Sequence, residues 1–145
     1  MWIRNVPMSA VINGDHPLDD NGTVLIQIQD IGTWKFAEPA AREEFVSIHQ
    51  FEFMDADDGD DDCNITEQQA EQIACILREA MAAGHSVLVH CHMGLCRSGA
   101  VAEVGVMMGF ADTHTVRQPN ILVKNRLRKA LGLSVDYDEI FRTLL

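Results

Sequence analysis

The residues best placed to do chemistry are His90–Ser98, reading HCHMGLCRS. Cys91 ends a short apolar, β-branched run, Arg97 follows six residues later, and a helical pattern begins near Arg97-Ser98. Backbone N–H groups at a strand–loop–helix junction converge on one point, and the helix dipole adds partial positive charge there. Such a cradle suits a tetrahedral oxyanion, with the loop His92, Met93, Gly94, Leu95 and Cys96 supplying amides. The Arg97 guanidinium can hold two of the oxygens as a fork. The same field acts on the thiol. Free cysteine titrates near 8.5, and a helix N-terminus with neighbouring cations lowers that to roughly 3.5–7.5. A shift of about 2 units stabilises the thiolate by roughly 3 kcal/mol. Cys91 is thus a candidate nucleophile, Ser98 a hydroxyl that can stabilise the departing thiolate, and His90 a residue that orients the loop through hydrogen bonds.

Two other readings of this segment compete. A cysteine at a strand end is commonly a core residue. A zinc site from His90, Cys91, His92 and Cys96 is disfavoured, because neighbouring residues on a strand point to opposite faces. No metal and no cofactor is expected.

The surrounding pattern is that of an α/β domain. Val24–Ile28 and His49–Met54 alternate apolar and polar residues as half-buried strands do, and Glu38–Ser47 could hold a short helix between them. Thr66 and Gln69 make a capping box, Ile73, Ile76, Leu77, Ala80 and Met81 recur at helical spacing, and Gly84 stands at the C-cap. SVLVHC reads as a buried strand. The following AVAEVGVMMGF carries Glu103 as its sole charge, so its helix belongs in the middle of the domain. Pro119-Asn120 starts a helix over roughly Ile121–Leu131, stopped by Gly132, and Ser134 can cap a last one through Leu144. With no repeat and no Pro- or Ser-rich linker, residues 1–145 are expected to form a single domain. A central, mainly parallel sheet flanked by helices follows from the alternation.

Charge narrows the partners. Against 11 Lys and Arg stand 22 Asp and Glu, a formal net charge of −11. A nucleic-acid binder needs a dense basic surface, and an anionic membrane would repel this chain. The opening MWIRNVPMSAVINGDHPLDD has no apolar stretch long enough for a signal peptide or a span, and four irregularly spaced cysteines do not suggest a disulfide scaffold. A cytoplasmic setting is expected.

His90 before Cys-x5-Arg-Ser, entered from VLVHC, resembles the active-site loop of the cysteine-dependent protein tyrosine phosphatases, and the compact size resembles their dual-specificity branch. The resemblance covers roughly Ile48–Gly132. Residues 1–47 match loosely, as a sheet edge. It implies a phosphatase acting on a phosphorylated protein or small aryl phosphate through a cysteinyl-phosphate, with Cys91, Arg97 and Ser98 catalytic and no cofactor. It also implies an aspartate general acid on a loop upstream of the cysteine. Asp55, Asp57, Asp58 and Asp60 lie in that window. Strand phasing ranks Asp55 first, since it continues the face of Phe51 and Phe53. A gap of 34 residues to Cys91 and an Asp-x-Gly sequence favour Asp57. A calcium loop is a near miss, with Gly59 at position 5 instead of 6 and Thr66 where glutamate is required.

Cys96 in the loop resembles the second cysteine of the low-molecular-weight tyrosine phosphatases. It could capture oxidised Cys91 as a reversible disulfide, or simply fill space in the core. The loop interior lacks the Lys and Arg that family members acting on phosphoinositides or RNA 5′ ends often carry, so the resemblance points away from those substrates. Lys124, Arg126, Arg128 and Lys129 could attract an acidic partner or form an ordinary solvated face. Two other function classes compete: a rhodanese- or arsenate reductase-type thiol enzyme, and a phosphoresidue-binding pseudophosphatase.

Overall fold

The computed structural model describes residues 1–56 and 63–133. Five strands form one sheet, β1 (Trp2–Pro7), β2 (Thr23–Gln29), β3 (Ser47–Glu52), β4 (Ser86–Cys91) and β5 (Ala111–Asp112), in the order β3-β2-β4-β1-β5. Every pairing is parallel. The helices are α1 (Met8–Asn13), α2 (Glu67–Ala83), α3 (Arg97–Met108) and α4 (Ile121–Leu131).

β4 is the middle strand, hydrogen-bonded on both edges and buried along its whole length. A parallel sheet covered on both faces selects for such a run of apolar residues. Val87 and Val89 pack with Ile26, Ile28, Ile73, Leu77, Val101 and Leu127 in the larger core cluster, towards α2, α3 and α4. Leu88 joins Val6, Val11, Leu25 and Phe45 in a smaller cluster on the other face, beside α1. α3 is buried on most sides, as its composition requires, and Gly105 lets it approach β1 where a methyl group would meet the Ile3 side chain.

Helix boundaries follow their caps. The Thr66 hydroxyl accepts from the Gln69 N–H while the Gln69 side chain accepts from the Thr66 N–H, and Gly84 ends α2 in the left-handed conformation. The Asn120 side chain accepts from the Val123 N–H to start α4, and Gly132 closes it.

Four expectations are corrected. β2 is buried at all seven positions instead of half-buried. Its apparent polar face, Gln27 and Gln29, is bound by Ala37: Gln27 donates to the Ala37 carbonyl (2.9 Å) and Gln29 accepts from the Ala37 N–H (2.8 Å). Residues 1–47 are not a sheet edge, for they supply β1 and β2, both interior. The helix expected in Glu38–Ser47 is a single 3-10 turn at Arg42–Glu44. The second strand begins two residues early and ends at Glu52. The helix expected from Ser134 lies outside the described residues. Among those described, no helix is long and apolar enough to cross a membrane.

Candidate active site

In a parallel sheet the strands point the same way, so the loops after β1, β2, β3, β4 and β5 gather at one edge. Ligand sites of open α/β sheets lie outside that carboxyl edge. Here the loop after the middle strand is Cys91–Cys96, leading directly into α3.

The loop is held from three sides. The Met8 N–H donates to the His92 carbonyl (3.2 Å), the Gln118 N–H to the Leu95 carbonyl (3.0 Å), and the Asn120 N–H to the Cys96 carbonyl (2.9 Å). Buried Asn5 on β1 donates to the Gly94 carbonyl (2.7 Å) and to the Val116 carbonyl (3.0 Å) through one amide nitrogen. Gly94 has φ +75°, and any Cβ there would collide with the Val6 and Pro7 backbone. Only glycine meets both demands at once.

Cys91 is 3% exposed, its Sγ 3.1 Å from the Ser98 hydroxyl. Burial pushes the thiol up. Hydrogen bonds from the Ser98 hydroxyl and from the Ser98 and Gly94 amides, with the Arg97 charge, outweigh it and bring the thiol below its ordinary value. The Ser98 amide sits in the first turn of α3, where backbone amides have no partner within the helix, and the Gly94 amide belongs to the loop before it.

Arg97 is almost fully buried, and its Nη1 donates to the Asp30 carboxylate (2.7 Å) and the Phe53 carbonyl (2.8 Å). Its Nε is buried without a hydrogen-bond partner. A buried guanidinium N–H left unpaired costs free energy unless a ligand satisfies it. A guanidinium anchored at Nη1 with a donor to spare is the fork expected to hold an oxyanion.

Beneath the loop, His90 is fully buried. Desolvation lowers its pKa to about 4, helped by the Arg97 charge and opposed by the contact with the Cys91 carbonyl, so the ring is neutral near pH 7. Nδ1 lies 3.3 Å from that carbonyl. Cys96 is half-buried at the N-cap of α3, and none of the four cysteines is in a disulfide.

Asp55 follows β3 by three residues and is exposed at the same edge. Asn120 Nδ2 donates to the Asp55 carboxylate (2.7 Å) and the Ala56 carbonyl (3.2 Å). Phe53, two residues before Asp55, is the residue whose carbonyl binds Arg97. Asp55 is thus tied to both α4 and the cradle. Asp57, Asp58 and Asp60 lie outside the described residues.

Asp30, Asn5 and Asn120 are missing from the sequence-derived set of site residues. Asn120 was legible as a helix cap, but nothing in its sequence context indicates that its other amide atom reaches Asp55. Asp30 and Asn5 carry no motif at all. Glu103, the one acidic residue of α3, pairs with Arg117 (2.7 Å), which also grips Asp112 through two nitrogens at 3.0 Å. That network fixes the strap between β5 and α4. Of the basic residues on α4, Arg126 donates to the Ile65 carbonyl (2.7 Å) and Lys129 pairs with Glu67 (3.2 Å), so both bind the α2 side.

No family model and no curated protein matches the sequence. Its fold has relatives among solved structures. Human tyrosine phosphatase-like serine/threonine/tyrosine-interacting protein aligns at TM-score 0.62 and 17% identity, over 96% of this chain and 92% of that one. Human DUSP28 aligns at 0.54 and 16%, over 90% and 91%. A mouse putative dual specificity phosphatase aligns at 0.52 and 20%, over 77% and 70%. The chain has the dual-specificity phosphatase-like fold.

Proposed function

We propose that the protein is a cysteine-dependent phosphomonoester hydrolase of the tyrosine or dual-specificity phosphatase type. One observation carries the reading: a buried thiol, lowered by three hydrogen bonds, is joined by one short loop to a buried guanidinium whose Nε has no partner. In this reading the Cys91 thiolate attacks phosphorus as the ester P–O bond breaks. Loop amides and Arg97 hold the equatorial oxygens, where charge must be stabilised through the transfer. Asp55 gives its proton to the departing oxygen. Water then attacks the cysteinyl-phosphate, the S–P bond breaks, and Asp55 takes back a proton as phosphate leaves. The Ser98 hydroxyl stabilises the thiolate at both ends of the cycle. A reducing, cytoplasmic setting suits a chemistry that depends on a free thiolate.

The direct test is hydrolysis of a generic aryl phosphate by wild type and Cys91→Ser. Loss of more than about 10³-fold supports the reading. Activity surviving the substitution sinks it. Turnover of thiosulfate or arsenate in place of phosphate esters identifies the sulfurtransferase or reductase class. A binding module is the second reading, favoured by the neighbour named as phosphatase-like and interacting. Its signature is phosphopeptide binding without product release.

A further inference from the structure

The four most exposed large apolar side chains among the described residues are Trp34 (94%), Val116 (75%), Met93 (65%) and Ile121 (62%). Scattered exposed apolar residues need no explanation. These four are not scattered. Met93 belongs to the Cys91–Cys96 loop itself. The Val116 carbonyl accepts from the Asn5 amide that also holds Gly94. Ile121 follows Asn120, which binds Asp55 and the Cys96 carbonyl. Trp34 follows a turn closed on Asp30, whose carboxylate binds Arg97, with half-exposed Ile31 inside that turn.

The loops that carry them are anchored. Thr33 donates to the Asp30 carbonyl through its N–H (3.2 Å) and its hydroxyl (2.6 Å), and Ala37 is gripped by Gln27 and Gln29. The Val116 strap is fixed by Arg117 on Asp112 and Glu103, and by Gln118 on Leu95. An indole presented on a clamped loop beside an anion cradle loses little conformational entropy on contact. Such aromatic groups dominate interface energetics. The carboxylates of Asp30 and Asp55 are exposed at the same mouth. Asp30 sets its charge preference against acidic neighbours, while Asp55 carries the transferable proton of the reading above.

We propose that Trp34, Met93, Val116 and Ile121 form an apolar collar that grips the polypeptide on either side of the phosphoresidue. The preferred substrate is therefore a phosphorylated protein segment with apolar neighbours and no acidic ones. This rests on the hydrolase reading above and extends it from the phosphoryl group to the flanking chain. A lipid surface could also meet apolar side chains, but the Asp30 carboxylate and the net charge of −11 oppose anionic headgroups.

The test compares kcat/KM on phosphotyrosyl peptides of equal length whose neighbours are leucine, alanine or glutamate. A generic aryl phosphate and phosphoinositide vesicles complete the set. Leucine-flanked peptide is turned over about tenfold better than glutamate-flanked peptide. In Trp34→Ala the ratio of leucine-flanked peptide to aryl phosphate falls about fivefold, and Trp34→Phe restores part of it. Equal turnover of all three peptides, an unmoved ratio in Trp34→Ala, or preference for the vesicle lipid overturns the proposal. Failure to hydrolyse aryl phosphate defeats the hydrolase reading alone. The collar is then read by calorimetric binding of the same peptides, where the leucine-over-glutamate order supports it and equal affinities overturn it.

Discussion

The two halves of the candidate site are built in opposite ways. The cradle, Cys91–Ser98, is local: strand, loop and helix turn are consecutive in sequence, and the thiol receives its hydrogen bonds from within that segment. The proposed acid arm is assembled over long distances. Asp55 is tied by Asn120, 65 residues away, and its backbone neighbour Phe53 by Arg97, 44 residues away. Local construction preorganises charge stabilisation cheaply, because the fold of β4 and α3 already imposes it. Asp55, the proposed acid, depends on packing of α4 through Asn120, so small changes there reach it. Arg97 joins the halves, binding Phe53 beside the acid arm and Asp30 on β2's loop through the same nitrogen.

Separating the halves by mutation tests this comparison. The largest expected effect is on the acid arm with a poor leaving group: Asp55→Asn lowers kcat about 10²–10⁴-fold on an alkyl phosphate, and far less on an activated aryl phosphate that needs no proton. A larger loss in Asp57→Asn under the same assay transfers the role to Asp57. In the cradle, Arg97→Lys removes the planar fork and lowers kcat/KM about 10²–10³-fold for both leaving groups alike. An effect that varies with leaving group contradicts the division of labour.

The cradle also has an acid sensitivity of its own. His90 stays neutral in the fold down to about pH 4, while an unfolded imidazole titrates near 6.5. Between those values the unfolded chain binds the extra proton, so stability falls as pH drops through the window, by about 3 kcal/mol in all. Chemical denaturation at pH 7 and pH 4.5 reads this, and His90→Gln flattens much of the difference. An unchanged slope in that variant removes His90 from the account. Asp112, held near 2 first of all by its hydrogen bonds to Arg117, acts only below this range.

The smallest effects connect the halves. Asn120→Ala removes both the helix cap, worth about 1 kcal/mol of stability, and the tether on Asp55. About a tenfold fall in kcat is expected, confined to substrates with poor leaving groups. Asn120→Asp keeps the capping oxygen without the amide donor, so it separates the two roles. Ser98→Ala raises the pH at which iodoacetamide alkylates Cys91, because a donor to the thiolate is lost while the amides stay. An unshifted alkylation profile removes the hydroxyl from thiolate stabilisation.

How much the sequence tells follows the same division. Capping box, buried strand, loop and central helix were legible because each is written within one stretch of chain, and the whole cradle came with them. β1 and β5 were missed: TrpIleArgAsnValPro shows neither alternation nor an apolar run, and the two-residue β5 is defined only by its pairing to β1. β2 misled through Gln27 and Gln29, whose polar side chains read as a solvent face although both are buried and bind Ala37. Asp30 and Asn5 gained their roles from tertiary contacts 67 and 89 residues away, beyond any local pattern.

The central claim is that Cys91 itself carries the phosphoryl group. Rapid acid quenching during turnover of an aryl phosphate, followed by mass spectrometry of the digested protein, tests it most directly. The account predicts a phosphate adduct on Cys91, abolished in Cys91→Ser and enriched in Asp55→Asn, where breakdown of the intermediate lacks its base. Turnover with no protein-bound phosphate, or with phosphate on His92 or Cys96 instead, would contradict it.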